Sequence, residues 1–91
     1  VLSFKNFDEV IERANDNDLG LCSYIYTNSM EQAHRASELM ETGCVAVNTA
    51  AVAVAEAPFG GIKQTGYGRE GGSMAIKDYL NIKYTHLGLK G

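Results

Sequence analysis

Tryptophan is absent from these 91 residues, proline occurs once and cysteine twice. No apolar stretch approaches the roughly 20 residues that a membrane-spanning helix needs, so no contact with a membrane is expected. Basic residues have no surplus: eight Lys and Arg face eleven Asp and Glu, a net charge of −3. Such a balance offers no electrostatic footprint for nucleic acid and no like-charged tail. The opening Val1-Leu-Ser-Phe-Lys5 has neither the charged nor the apolar region of a secretion signal. It also lacks an initiator methionine and reads as the end of a strand. A cytoplasmic chain cut from something longer is the expectation.

Cys22 and Cys44 lie too far apart for a CxxC motif and have no neighbouring cluster of His or acidic residues. Both sit among apolar neighbours in apparent strands. Buried, unreactive thiols are therefore expected, rather than a disulfide or a nucleophile. No pairing of histidine and carboxylate has ligand spacing, so no metal is expected. His34, beside Arg35, reads as a surface residue.

What the chain does contain begins with two capped helices. Asn6, followed three residues later by Glu9, is an N-terminal capping pattern, with Phe7, Val10, Ile11 and Ala14 on one face. Asn15-Asp-Asn-Asp18 ends that helix, because short polar side chains compete for backbone hydrogen bonds. Leu21–Tyr26 is rich in strand formers. Ser29 with Gln32 repeats the capping pattern, with Met30, Ala33, Ala36, Ser37 and Met40 along one face and Gly43 placed to close the helix in a left-handed conformation. Cys44–Asn48 reads as a short apolar strand. The order β-α-β-α-β calls for a parallel sheet with right-handed crossovers. Thr49–Ala57 is small and apolar, open to either strand or helix by its residues alone. Ser73–Leu80 reads as a short helix, and Asn81–Leu87 alternates as a strand with one face covered. That last strand has no evident partner here and invites pairing elsewhere.

Six of the ten glycines fall between Gly60 and Gly72, and the only proline, Pro58, opens the same run. Proline fixes one backbone angle and glycine permits close approach, so the run reads as a shaped loop holding Phe59, Lys63, Tyr67, Arg69 and Glu70. Gly66-Tyr-Gly-Arg-Glu-Gly71 formally spells G-x-G-x-x-G. The dinucleotide mechanism needs that motif between a strand and a helix, with an acid about 20 residues on, and neither is present. Lys63 reads as a solvated loop lysine. Arg69 and Glu70, taken alone, read as an exposed ion pair.

Pro58-Phe-Gly-Gly-Ile-Lys-Gln-Thr-Gly-Tyr-Gly-Arg-Glu70 resembles the C-terminal signature of aldehyde dehydrogenases. Asn17-Asp-Leu-Gly-Leu21 and Gly43-Cys-Val-Ala-Val-Asn48 resemble two further landmarks of that family, and Tyr79-Leu-Asn-Ile-Lys-Tyr84 resembles the end of its succinate-semialdehyde branch. The resemblance implies an α/β fold, the C-terminal piece of a catalytic domain over residues 1–80, followed by an oligomerisation strand and tail over 81–91. It implies that Thr49–Ala57 is a loop at the substrate entrance and that Phe59 lies in the pocket wall. Glu70 would support a proton path, as a carboxylate shielded from water, and Arg69 would be held at a subunit interface with Ile82, Tyr84 and His86 of the final strand. The implied reaction is attack of a cysteine thiolate on an aldehyde, hydride transfer to NAD or NADP, and hydrolysis of the thioester by an activated water. Nucleophile, base and cofactor fold would all precede Val1, so the chain alone would bind no cofactor and would be inert, the remainder of the parent chain being its first partner and a second copy its next.

One position departs from the succinate-semialdehyde branch. Ala53 stands where that branch places a serine against the substrate's carboxylate. Losing one hydrogen bond to a charged group costs on the order of 1.5–3 kcal/mol. The departure bears on the choice of aldehyde and leaves the family resemblance intact. The alternative of another class is a self-standing binding or assembly module without catalysis.

Overall fold

The computed structural model describes residues 1–90. Helix α1 (Phe7–Asn15) starts where the capping pattern puts it: Asn6 Oδ1 accepts the Glu9 amide at 2.9 Å. The return contact is shifted by one residue, since the Glu9 carboxylate accepts from the Lys5 amide at 2.9 Å and pairs with Arg13 one turn on at 3.2 Å. Helix α2 (Met30–Leu39) is capped by Ser29, whose hydroxyl accepts the Gln32 amide at 3.2 Å. Here too the reciprocal bond is indirect. Gln32 accepts from the Thr27 hydroxyl at 2.9 Å, and that hydroxyl takes the Ser29 amide at 3.1 Å.

The strand expected over Leu21–Tyr26 forms at Cys22–Ile25, and a separate two-residue strand precedes it on the other side of Leu21. Strand β1 (Leu19–Gly20) pairs antiparallel with β4 (Ile62–Lys63), while β2 (Cys22–Ile25) pairs parallel with β3 (Cys44–Val47). In the parallel pair Cys22 faces Cys44 and Ile25 faces Val47. The division lets one short segment serve two partners: Gly20 and Leu21 carbonyls accept the Gly43 and Cys44 amides, both at 3.0 Å, while the Gly20 amide goes to Thr65 Oγ1 at 2.8 Å. The parallel pairing across α2 is the βαβ arrangement that the element order requires. Asn48 closes the end of β3, its side chain bonding both the amide and the carbonyl of Thr27 at 2.9 and 3.0 Å.

The buried side chains are small: Ala33 and Ala36 of α2, Ala46 of β3 and Ser23 of β2. The Ser23 hydroxyl is satisfied at 2.8 Å by Thr42 Oγ1, which itself donates to the Cys44 carbonyl at 3.0 Å, so Ser23 is the donor. The two helices meet through polar contacts. The Arg35 guanidinium lies 4.5 Å over the Phe7 ring, and the Asn15 side chain joins the Leu39 carbonyl and the Glu41 amide at 2.8 and 2.9 Å. Phe7, Val10 and Ile11 stay half-buried, and with Leu21, Ala36 and Met40 they line an open groove of about 770 Å³.

Three expectations need correction. Val1–Phe4 forms no strand; it is exposed and irregular, because a strand requires a neighbouring ladder. Asn81–Leu87, expected to pair elsewhere, has no ladder partner among the described residues. Ser73–Leu80 contains a 3-10 turn, Ala75–Tyr79, in place of an α-helix. Gly43 is not left-handed: α2 already ends at Leu39 with Met40 as its cap. Glycine is needed there for another reason, since a Cβ would overlap the Gly60 carbonyl oxygen.

Candidate functional site

The run from Ala57 to Gly72 is fastened at several points. Phe59 and Glu70 exchange both backbone hydrogen bonds at 2.7 Å, closing the loop at its base. Inside it, Arg69 Nη1 donates to the carbonyls of Gly61 and Gly68, each at 2.8 Å, and the Arg69 amide donates to the Asp78 carboxylate at 3.2 Å. Farther along, the Gly72 amide reaches the Ala55 carbonyl at 2.8 Å, tying the Thr49–Ala57 segment to the glycine run. That segment has no regular structure, in accord with its reading as a loop.

Lys63 departs from expectation. Its ammonium donates to the carbonyls of Asn15 and Asn17 at 3.0 and 3.2 Å and pairs with Glu41. The Gln64 amide bonds the Asp18 carbonyl at 2.9 Å, so residues 63–65 are sewn onto the turn after α1. Lys63 holds a positive φ of 56°, a conformation that a non-glycine residue keeps only where its surroundings enforce it. Lys63 is a clamp, and no residue spacing announces it, because its carbonyl partners lie more than forty positions away.

The fastened loop borders a cleft of about 340 Å³, lined by Phe59, Tyr67, Arg69, Glu70, Asp78 and Tyr79 together with glycine backbone. Phe59 is half-buried there and Glu70 is exposed, fixed through its backbone. The shielded carboxylate expected of Glu70 is therefore not formed within this chain. Nor is the Arg69–Glu70 ion pair: the arginine directs its guanidinium to the two carbonyls instead. Ala53 is exposed and outside the cleft lining. Ile82, Tyr84 and His86 are exposed on the C-terminal segment, where Tyr84 Oη and His86 Nδ1 lie 3.1 Å apart on the same side of the extended chain. The structure thus brings Phe59, Arg69 and Glu70 together and leaves Ala53 and the tail residues apart from them.

Gly66, Gly68 and Gly71 have φ of 117°, 91° and 68° in turns, with only the short 3-10 segment after them. No helix N-terminus is available to receive a pyrophosphate at that motif. Cys22 and Cys44 are both free and half-buried. Burial, and next the Cys44 thiol opposite it, push the Cys22 thiol above its ordinary value of 9.0. The Cys44 thiol donates to the Gly60 carbonyl at 3.5 Å. Among the described residues no three His, Cys, Asp or Glu cluster as metal ligands would, and no helix is long and apolar enough to cross a membrane. His34 is exposed, as its position beside Arg35 suggests.

Chemically the cleft offers an aromatic wall, a guanidinium already engaged and a carboxylate at its mouth. It has no nucleophile paired with a base. Residues 1–85 match the Aldehyde dehydrogenase family, and the chain belongs to that oxidoreductase family. It is 53% identical over 85 residues to the 3-sulfolactaldehyde dehydrogenase of Pseudomonas putida, covering 93% of this chain and 18% of that protein. It is 45% identical over 86 residues to the NADP(+) succinate-semialdehyde dehydrogenase of Escherichia coli (strain K12), covering 94% and 18%. The NAD+ complex of the Bacillus cereus aldehyde dehydrogenase superposes with a TM-score of 0.91 at 38% identity, over 98% of this chain and 18% of that one. The chain spans about 18% of the length of these relatives.

Proposed function

We propose that this chain is the C-terminal part of an NAD(P)-dependent aldehyde dehydrogenase that oxidises a short aldehyde with an anionic far end, succinate semialdehyde first among them. The observation that carries this reading is the fastened Pro58–Glu70 loop, which presents half-buried Phe59 at a cleft while contributing no nucleophile of its own. Two relatives named for aldehydes that end in a sulfonate or a carboxylate support the substrate class.

In this reading residues 1–80 complete the catalytic domain and residues 81–91 form the oligomerisation strand and tail. The groove between α1 and β2 receives the remainder of the parent chain, whose apolar surface would cover Val10 and Ile11. Phe59 forms part of the aldehyde's wall and Ala53 lies toward its anionic end. Glu70 becomes a proton-path carboxylate once neighbouring chain shields it from water. Arg69, Ile82, Tyr84 and His86 lie at the interface between copies of a cytoplasmic homo-oligomer. A nicotinamide cofactor would supply the hydride acceptor and would be held by residues outside this stretch, as would the nucleophile and base. The chain alone is inert.

The test is aldehyde-dependent formation of NADH or NADPH by the full-length product of the reading frame, with the 91-residue chain as its comparison. Activity confined to the longer product, highest with succinate semialdehyde among short aldehydes, is the expected result. No activity in either, with the short chain folded, would replace this reading with a non-catalytic assembly module. In the active protein Ala53→Ser should lower KM for succinate semialdehyde by roughly 10- to 100-fold, the equivalent of one hydrogen bond to a charge. An uncharged aldehyde of similar length should change little, and equal effects on both would remove Ala53 from the carboxylate's surroundings.

A further inference from the structure

Cys22 and Cys44 belong to neither the cleft nor the proposed reaction, yet the sheet places them opposite one another. They are register partners at the first position of the parallel β2·β3 pair. Adjacent strands lie about 4.7–4.9 Å apart. That spacing falls inside the roughly 4.4–6.8 Å range of Cα separations that a disulfide spans. Register partners in a sheet point their side chains to the same face, so the two thiols share one environment. Both are free.

The pair also has an output. The Cys44 thiol is a donor to the Gly60 carbonyl at 3.5 Å, and Gly60 follows Phe59 in the fastened loop. A sulfur engaged in a disulfide carries no proton and cannot make that bond.

We infer that Cys22 and Cys44 form an oxidation site in which a hydroperoxide closes a reversible cross-strand disulfide and releases the Gly60 carbonyl. In the first step one thiolate attacks a peroxide oxygen. Its sulfur becomes a sulfenic acid and hydrogen peroxide is reduced to one water. In the second step the other thiol displaces the sulfenic oxygen as a second water, forming the S–S bond. Two thiol hydrogens and two electrons leave the protein, and the peroxide takes both. A dithiol reductant reverses the change by thiol–disulfide exchange. Whichever sulfur meets the peroxide first, the thiol opposite it on the neighbouring strand is the resolving group.

The experiment treats the full-length product with hydrogen peroxide and reads intact mass and non-reducing peptide maps. Expected are the loss of two hydrogens, a peptide linking Cys22 to Cys44, and restoration of both by dithiothreitol. Cys22→Ser should stop the reaction at a trappable sulfenic acid on Cys44. Because the wild-type mass needs no variant, a poorly folding substitution leaves the test intact. Independent addition of oxygen to each sulfur, a bond between two copies, or two unchanged thiols would each overturn the inference. These readouts do not depend on dehydrogenase activity, so a failure here is distinct from failure of the proposed function.

Discussion

The glycine-rich loop and the C-terminal segment are both nearly devoid of regular structure, and they are opposite in kind. Between Phe59 and Gly72 the backbone is held by a two-bond bridge, two arginine–carbonyl contacts and a link to Ala55. From Asn81 onward every described residue is exposed, and the side-chain bond there joins Tyr84 to His86 within the segment itself. Absence of helix or strand therefore says little about whether a segment is fixed. What decides is where its polar backbone groups find partners. The loop finds them inside this chain. The tail has them turned to solvent, which suits a strand that pairs with something else.

The largest expected break in this contrast comes from Gly43→Ala. The added methyl overlaps the Gly60 carbonyl, so the β3 start and the loop base must separate. A loss of about 3 kcal/mol or more is expected, read as a fall in Tm of the full-length product. Next comes Arg69→Met, which leaves two loop carbonyls without their charged donor. About 2 kcal/mol of stability should go, and limited proteolysis should shift into residues 60–68 while cleavage in the tail is unchanged. A smaller effect attends Cys22. Its thiol is raised above 9.0, first by burial and then by Cys44, so the folded state favours the protonated form. The unfolded chain then loses its proton first as pH rises past that value, and the contribution to stability declines in alkali. Alkylation of Cys22 should follow a pH profile centred above that of an open thiol, and Cys44→Ala should lower the midpoint only in part. The least effect belongs to the tail: Gly88→Ala meets no atom within 4 Å and should change Tm by the equivalent of about 0.5 kcal/mol or less.

Both helices were legible in the sequence because their signals are local. Asn6 and Glu9, or Ser29 and Gln32, lie within one turn, and the physics of capping acts over that distance. The parallel β2·β3 pair followed from element order. The first strand does not form and the last has no partner within this chain, for a reason that no local pattern contains: alternation prepares a segment to pair but supplies no neighbour. Gly43 was read as a helix terminator when its neighbour in space is Gly60, and Lys63 was read as solvated when its partners are Asn15 and Asn17. Within the site, the glycine run itself singles out Phe59, Arg69 and Glu70, and the family resemblance supplies their expected roles. Their shared cleft is a property of the folded loop.

Asn15 gives the fold a common datum. Its side chain fixes the end of α2, and its carbonyl receives Lys63 from the loop, so three segments are measured from one residue. An insertion between Met40 and Gly43, or between Asp16 and Leu19, would put those measurements out of step. Added length in Thr49–Val54, ahead of the Ala55 link, would leave them untouched. That loop is thus the place where chain length can vary without resetting the frame.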